Sequence, residues 1–213
     1  MAVEDVGVGL ALTFDYGQKA AERETAAAKA IAARFDVPHR VVALPWLGEI
    51  TTSAIVRGGG EVPCPEEKDL EGPAARELAR NVWCPNRNGI FINIAAAFAE
   101  AMDVRYVVAG FNAEEAKSFP DNSPEFVAAA SGSLALSTWR RVEILNPIGV
   151  LTKGEILERA LASGAPLNLI WSCYLGGREH CGRCESCRRL FRALRGAGLL
   201  DRFRRGRPKR GDP

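Results

Sequence analysis

The sequence predicts an α/β protein built on a parallel sheet, with a small cysteine-rich appendage near its C-terminus. Three observations carry that prediction. Short β-branched or apolar runs alternate with longer helical patterns, the signature of parallel strands joined by crossover helices. The stretch Lys19–Phe35 is rich in alanine and charge and contains no proline, the make-up of a surface helix covering one sheet face. Beyond Ser172 the composition turns abruptly to Cys, Gly and Arg. At 213 residues, 47% apolar and 25% charged, the chain is long enough for one well-buried domain, too short for two of ordinary size, and too apolar to be largely disordered.

In chain order, strands are predicted at Leu10–Phe14, Arg40–Leu44, Arg105–Ala109 and Arg141–Leu145, each a brief apolar or β-branched run bounded by polar residues. Helices are predicted at Lys19–Phe35, Asn88–Met102 and Thr152–Ser163, with a last one near Cys187–Ala197. Two long connections, Pro45–Pro85 and Phe111–Pro124, interrupt the alternation. Loops of that length in a compact domain are usually lids or binding loops. There is no internal repeat. The predicted organisation is an α/β domain over residues 1–171, a metal-binding segment and helix over 172–200, and a basic tail over 201–213.

The charge balance of 28 basic against 26 acidic residues gives +2, but the distribution is uneven. From Asp201 onward there are six basic residues and two acidic ones, which leaves 22 basic and 24 acidic, a net −2, for the body. The body offers no electrostatic case for nucleic acid, and the tail reads as a solvated terminus. No apolar run reaches the ~18 residues of a membrane span, and Glu4 and Asp5 are unlike an export signal, so the expected compartment is cytoplasmic. Six cysteines in a reducing compartment point to metal or catalysis before disulfides.

Cys173, Cys181, Cys184 and Cys187 fall as C-x7-C-x2-C-x2-C, four soft ligands with Gly182 where a knuckle turn needs a small residue. Four thiolates suit one tetrahedral Zn²⁺ and leave no open position, so such a site folds a loop and does no chemistry. Arg178, Arg183, Arg188 and Arg189 are placed to offset its charge. An iron–sulfur cluster is the rival, since x2 cysteine spacing also occurs in ferredoxins, though no Cys-Pro follows here. Unliganded thiols are a third reading. His180 could also ligate, but the four cysteines already complete a shell. Cys64 and Cys84 read as ordinary packing or loop thiols.

Three polar segments sit where open α/β sheets bind ligands. Phe14-Asp15-Tyr16-Gly17-Gln18 follows the first strand directly, and its alternative is a plain turn with Asp15 as a cap. Pro85-Asn86-Arg87-Asn88-Gly89 opens a helix with a guanidinium and two amides, suited to a carboxylate or phosphate; the alternative is N-capping by Asn88. Gly110-Phe111-Asn112-Ala113-Glu114-Glu115 follows the third strand and leads into Phe119-Pro120-Asp121-Asn122-Ser123-Pro124.

Taken together, LTFDYGQ, CPNRNGIF, GFNAEEAKSFPDNSPEF, NPIGVLTKGEI and WSCYLGG…CGRCESCRR resemble the 7-cyano-7-deazaguanine synthase family over about residues 10–200. The resemblance implies a Rossmann-like, adenine nucleotide alpha-hydrolase-like domain with a zinc knuckle. It implies ATP-dependent conversion of 7-carboxy-7-deazaguanine and ammonia to the nitrile, preQ0, for queuosine-type tRNA modification. The carboxylate would be adenylated, displaced by ammonia to an amide, and the amide activated again and dehydrated. ATP with Mg²⁺ and one structural Zn²⁺ are the implied cofactors, and a homodimer is the expected assembly. Residue by residue, the resemblance makes Cys173, Cys181, Cys184 and Cys187 the zinc ligands and Lys153 the catalytic, phosphate-side lysine. It places Asn86, Arg87, Asn88, Asn112 and Asp121 on the substrate and Asp15, Tyr16 and Gln18 on the nucleotide. The plain alternative for Lys153 is a solvated lysine in a first helical turn.

The family's opening strand and SGGxDS phosphate loop have no counterpart in the sequence, and Met1–Gly9 resembles the end of the helix that follows that loop. The expectation is therefore that the chain expressed from Met1 does not turn over ATP at the family's rate, and that restoring such a segment restores activity. Arg57-Gly58-Gly59-Gly60 does not substitute, since it lacks the lysine-serine ending of a P-loop and a following helix signal, and reads as a flexible loop. A function from another class is a zinc-stabilised, catalytically inactive binding protein that holds RNA with its basic tail.

Overall fold

The computed structural model describes residues 7–205, which divide into two compact units. One comprises Val8–Val82 together with the chain from Lys153 onward, and the other Trp83–Thr152.

In the first unit, strand β1 (Ala11–Asp15) pairs in parallel with β2 (His39–Ala43), with Ala11 opposite His39 and Asp15 opposite Ala43. A parallel pair needs a crossover, and helix α1 (Ala21–Arg34) supplies it, packing on both strands. Glu22 and Glu24 in its first turn and Arg34 in its last complement the helix dipole. Asp36 ends the connection in the left-handed region at φ 54°. The long connection after β2 is folded. It contains α2 (Pro45–Glu49), a 3₁₀ turn at Glu67–Leu70, and α3 (Gly72–Asn81) with proline near its start and Ala75 and Ala79 buried on one face.

The same unit resumes with α7 (Lys153–Ala162), a 3₁₀ turn at Leu167–Leu169, the cysteine loop, α8 (Glu185–Gly196) and α9 (Leu200–Arg205). Leu157 of α7, Leu194 of α8 and Phe203 of α9 form one buried cluster, with Leu194 fully enclosed. The basic stretch expected to be loose from Asp201 thus begins as a packed helix. Its remainder, residues 206–213, lies outside the described residues, as does the segment 1–6 whose sequence resembles a helix end.

The second unit holds α4 (Arg87–Ala101), β3 (Tyr106–Val108), α5 (Ala113–Ala116), a 3₁₀ turn at Pro120–Asn122, α6 (Pro124–Ser137) and β4 (Glu143–Leu145). Strands β3 and β4 are parallel, with Val107 opposite Ile144. Ile92, Ala96 and Ala99 of α4 meet Leu134 of α6, Val142 and Ile144 in the core. Strand β4 begins at Glu143 and not at Arg141, because Arg141 sits at φ 51° and the Val142 N–H is taken by Thr138 Oγ1 at 2.8 Å. Helix α6 was not anticipated by the sequence pattern. Ser123 starts it, its hydroxyl accepting from Phe126 N–H at 3.1 Å, with Pro124 at the first helical position.

Candidate metal centre and polar loops

The four cysteines converge. Sγ atoms of Cys173, Cys181, Cys184 and Cys187 all lie within 4.8 Å of one another, and three of the four residues are buried. A Zn–S bond of about 2.3 Å in a tetrahedron sets sulfurs about 3.8 Å apart. The Cys181 and Cys187 sulfurs stand at 3.9 Å, so the donor set fits a tetrahedral thiolate site. Gly182 takes φ 72°, which lets the knuckle turn back N–H groups onto sulfur: Cys184 N–H reaches Cys181 Sγ at 3.3 Å and Arg183 N–H reaches it at 3.5 Å. Among the thiols themselves, hydrogen bonds from Cys184 and Cys187 favour the Cys173 thiolate and hold its pKa far down. Cys184, giving one of those bonds, is pushed up to about 12. A bound cation reverses that hierarchy by deprotonating every coordinating thiol.

His180 is not part of the sulfur cage. Its Nε2 accepts the Ser172 N–H at 3.1 Å and its ring lies 4.6 Å from that of Trp171, whose Nε1–H donates to the Cys173 carbonyl at 2.9 Å. Of the arginines expected to balance the sulfurs, Arg189 is engaged elsewhere. It is buried against Glu185 at 2.9 Å and donates to the Leu70 carbonyl at 2.7 Å. The loop is built onto the first unit: a Cβ at Gly176 would lie 2.2 Å from the Lys19 carbonyl, and Arg23 of α1 stands over the Trp171 ring.

At the carboxyl ends of β1 and β2 lies a cavity of about 410 Å³ lined by Asp15, Tyr16, Gly17, Ala43, Pro45, Gly48, Glu49 and Arg57. The turn forming its wall is tied to itself. Asp15 Oδ1 accepts from Gly17 N–H at 3.0 Å, Gly17 takes φ 85°, and Gln18 Oε1 accepts from Tyr16 N–H at 2.9 Å. The Gln18 amide also donates to the Phe14 carbonyl and to Glu24, each at 2.9 Å, so this buried residue scaffolds the turn while Asp15 and Tyr16 face the cavity. The glycine run after Arg57 is a pinned turn and not a flexible loop, since Lys19 Nζ donates to the Ala54 and Gly60 carbonyls, each at 2.8 Å. Arg57 and Glu49, not singled out as binding residues by the sequence pattern, supply cavity charge of both signs.

The second unit gathers Arg87, Asn88 and Asp121. Asn86, in the left-handed region at φ 49°, precedes α4, and Asn88 does not cap the helix. Its Nδ2 donates to the Asp121 carbonyl at 3.2 Å, while its backbone N–H points to Asp121 Oδ2 at 3.4 Å. Arg87 Nε approaches Asn88 Oδ1 at 3.4 Å. Burial raises the Asp121 pKa above the usual carboxylate value, opposed by the Arg87 charge, the Asn88 N–H and the Asn122 amide, which donates to Oδ1 at 3.1 Å. Asn112 is separate in role: its Oδ1 caps α5 by accepting from Glu114 and Glu115 N–H at 3.1 Å each. Asn146, at the carboxyl end of β4, has a buried Oδ1 without a hydrogen-bond partner and was also not singled out from sequence. Lys153 belongs to the first unit, as the first residue of α7.

Residues 2–198 match the family model described as "Queuosine biosynthesis protein QueC". The chain is 56% identical over 193 residues to the 7-cyano-7-deazaguanine synthase of Pelotomaculum thermopropionicum, covering 90% of this chain and 87% of that protein. It is 50% identical over 197 residues to the synthase of the same name from Desulforudis audaxviator, covering 92% and 89%. Against that of Methanosarcina barkeri it is 45% identical over 205 residues, covering 94% and 89%.

Proposed function

The chain belongs to the QueC family of queuosine biosynthesis proteins, and from that membership we propose that it converts 7-carboxy-7-deazaguanine and ammonia to 7-cyano-7-deazaguanine at the expense of ATP. The observation that carries this is the match over residues 2–198, which spans the polar loops and the cysteine loop alike. No feature of the described residues favours the RNA-holding alternative.

The chemistry runs in two activations. The substrate carboxylate attacks the α-phosphate of ATP and releases pyrophosphate; ammonia then attacks the acyl carbon and AMP leaves, giving the amide. The amide oxygen is adenylated in turn and departs with AMP as the nitrogen loses its protons, leaving the nitrile. Carboxylates and phosphates carry concentrated negative charge, so the chain's part is to hold it in place with cations and N–H donors. Arg87 is assigned to the carboxylate, for which a guanidinium offers two parallel donors. Asn86 and Asn88 flank it, and Asp121, anchored through Asn88, offers an acceptor to the N–H edge of the deazapurine. Asn112 orders the neighbouring loop as the cap of α5. Lys153 is assigned to the phosphate oxygens as a point charge, with Mg²⁺ accompanying them. Asp15 and Tyr16 are assigned to the nucleotide through the β1 cavity, and Gln18 supports them from beneath. Zn²⁺ on the four cysteines would fold the loop and take no part in the reaction.

The test is pyrophosphate release measured with ATP and 7-carboxy-7-deazaguanine. The chain is supplied alone and behind a segment carrying the family's first strand and SGGxDS loop. Substrate-dependent release by the extended form supports the reading, and none from either form overturns it.

A further inference from the structure

The second unit carries a pair of aromatic rings to which the reaction as written gives no role. Trp83 precedes α4, and Phe119 precedes the 3₁₀ turn at Pro120–Asn122, yet their rings lie 12° from parallel with centroids 6.3 Å apart. Both residues are half-buried, so neither ring is enclosed. Aromatic faces in contact stand about 3.5 Å apart. Centroids at 6.3 Å therefore mean either open space between the planes or a sideways slip of about 5 Å, more than the width of a six-membered ring. In both cases ring faces are left uncovered. Stacked bases repeat at about 3.4 Å, so a flat heterocycle between two parallel faces needs about 6.8 Å, roughly 0.5 Å more than the present spacing. A flat ring is admitted by a slight opening in the first case and lies along the ledge in the second.

The segments that carry the rings also carry the polar residues assigned to the substrate. Arg87 N–H donates to the Cys84 carbonyl at 3.2 Å and closes the turn into which Trp83 leads. Phe119 N–H donates to the Glu115 carbonyl at 2.9 Å, and the Phe119 carbonyl accepts from Asn122 N–H at 3.1 Å, which fixes the ring to the end of α5 and to the turn holding Asp121. Between the two segments run the contacts of Asn88 with Asp121, at 3.2 Å from its Nδ2 and 3.4 Å from its N–H. Rings set by backbone in this way need little further ordering to grip a ligand.

Together these two segments offer aromatic surface from Trp83 and Phe119, a buried acceptor from Asp121 and a cation from Arg87. The ligand complementary to all of them is flat, has N–H donors along one edge and bears a carboxylate. A plain hydrophobic pair accounts for the rings but not for the company they keep. We propose that Trp83 and Phe119 hold the faces of the deazapurine, positioning the ring and selecting a planar heterocycle, while Asp121 takes its edge and Arg87 its carboxylate. This placement rests on the activity proposed above. Stacking is indifferent to charge on the ring substituent, so Trp83 and Phe119 should hold the acid substrate and the neutral nitrile product alike, whereas Arg87 distinguishes the two.

The test is a fluorescence titration of the full chain, alone and behind the SGGxDS segment, with 7-carboxy-7-deazaguanine, 7-cyano-7-deazaguanine and ATP in turn. The chain has four tryptophans, so Trp83→Phe isolates the signal of one and supplies the inner-filter baseline from the rest. The acid and the nitrile should each quench the parent saturably. Trp83→Phe should lose that quench while calorimetry finds both ligands bound within about threefold of the parent, because one aromatic face replaces another. Trp83→Leu and Phe119→Leu should weaken both ligands by roughly 5- to 150-fold with ATP binding and circular dichroism unchanged. Arg87→Ala should weaken the acid but not the nitrile. Saturable quenching that persists in Trp83→Phe, leucine variants that bind the acid as the parent does, or quenching of Trp83 by ATP in place of the acid would overturn the proposal. Should a leucine variant fail to fold, the Trp83→Phe comparison decides alone. Nitrile synthesis by the extended form with an unchanged KM for the acid in Trp83→Leu overturns this placement and leaves the activity standing. Quenching of Trp83 by the acid without pyrophosphate release upholds the placement and overturns the activity, and no binding of the acid by either form overturns both.

Discussion

Replacing Arg189 with Met should detach the segment around Leu70 from helix α8, at a cost far larger than its neighbours' arginines suggest. Three arginines three residues apart reach the same stretch: Arg189 to the Leu70 carbonyl, Arg192 to Glu71 and Arg195 to Glu67, at 2.7, 2.9 and 2.8 Å. Their surroundings differ. The Arg189 and Glu185 side chains are 7% and 3% exposed, and Glu185 Oε2 has no hydrogen-bond partner, so removing Arg189 strands a buried carboxylate. Breaking such a pair costs about 3–5 kcal/mol, whereas Arg192→Ala or Arg195→Ala, each breaking an outer pair, costs at most about 1 kcal/mol. Hydrogen exchange of the amides over residues 67–72 should therefore accelerate by roughly 10²- to 5 × 10³-fold in Arg189→Met if opening stays local, but only a few-fold in the others. The double variant Glu185→Met with Arg189→Met should recover most of the loss, because an apolar pair of similar volume replaces the ions. An Arg189→Met penalty no larger than that of Arg192→Ala, or a double variant as unstable as the single, would show that the Arg189–Glu185 pair does not hold this segment.

Other perturbations follow from the same geometry. Burial raises the Asp121 pKa, so the folded state binds a proton more tightly than the unfolded one; stability from this group is full below the ordinary carboxylate pKa and declines as pH rises through the raised value, and Asp121→Asn should flatten that decline in denaturation midpoints measured against pH. Gly48→Ala puts a Cβ 2.3 Å from the Tyr16 carbonyl, so it should cost about 1–3 kcal/mol and weaken nucleotide binding at the β1 cavity, read by thermal shift with and without ATP. In the form extended by the first strand and SGGxDS loop, Arg87→Ala should weaken binding of the substrate acid more than that of ATP, and Lys153→Ala should chiefly lower kcat, as steady-state kinetics with each substrate varied would reveal. Cys184→Ser should lose Zn²⁺ and loosen residues 172–190 together with Val62, which packs on the cysteines; native mass spectrometry finding iron and sulfide in the parent would contradict this.

The strands and crossover helices were legible because period and composition change sharply between them. Helix α6 was not, since AAASGSLALS carries almost no contrast between faces for periodicity to detect. Helix α3 left a clearer trace, Gly-Pro at its start and alanines four apart, inside a stretch whose length suggested a loop. The cysteine cage could be read from spacing alone, because four thiols within fifteen residues have few other uses. Roles of polar residues were harder. A sequence cannot distinguish an amide folded into its own turn, as Gln18 is, from one turned outward, as it cannot foresee that Asn88 binds Asp121 across 33 residues. Asn112 did leave a signal, its Asn-x-x-Glu spacing being that of a helix start.

Nitrile synthesis is tested most directly by mass spectrometry of the product formed from 7-carboxy-7-deazaguanine, ATP and ¹⁵N-ammonia by the chain carrying the strand and SGGxDS segment. The expected product is 7-cyano-7-deazaguanine one mass unit heavier, with two AMP released per nitrile and both lost in Arg87→Ala at low substrate. A product without the label, or ATP turnover with no nitrile at all, would contradict it.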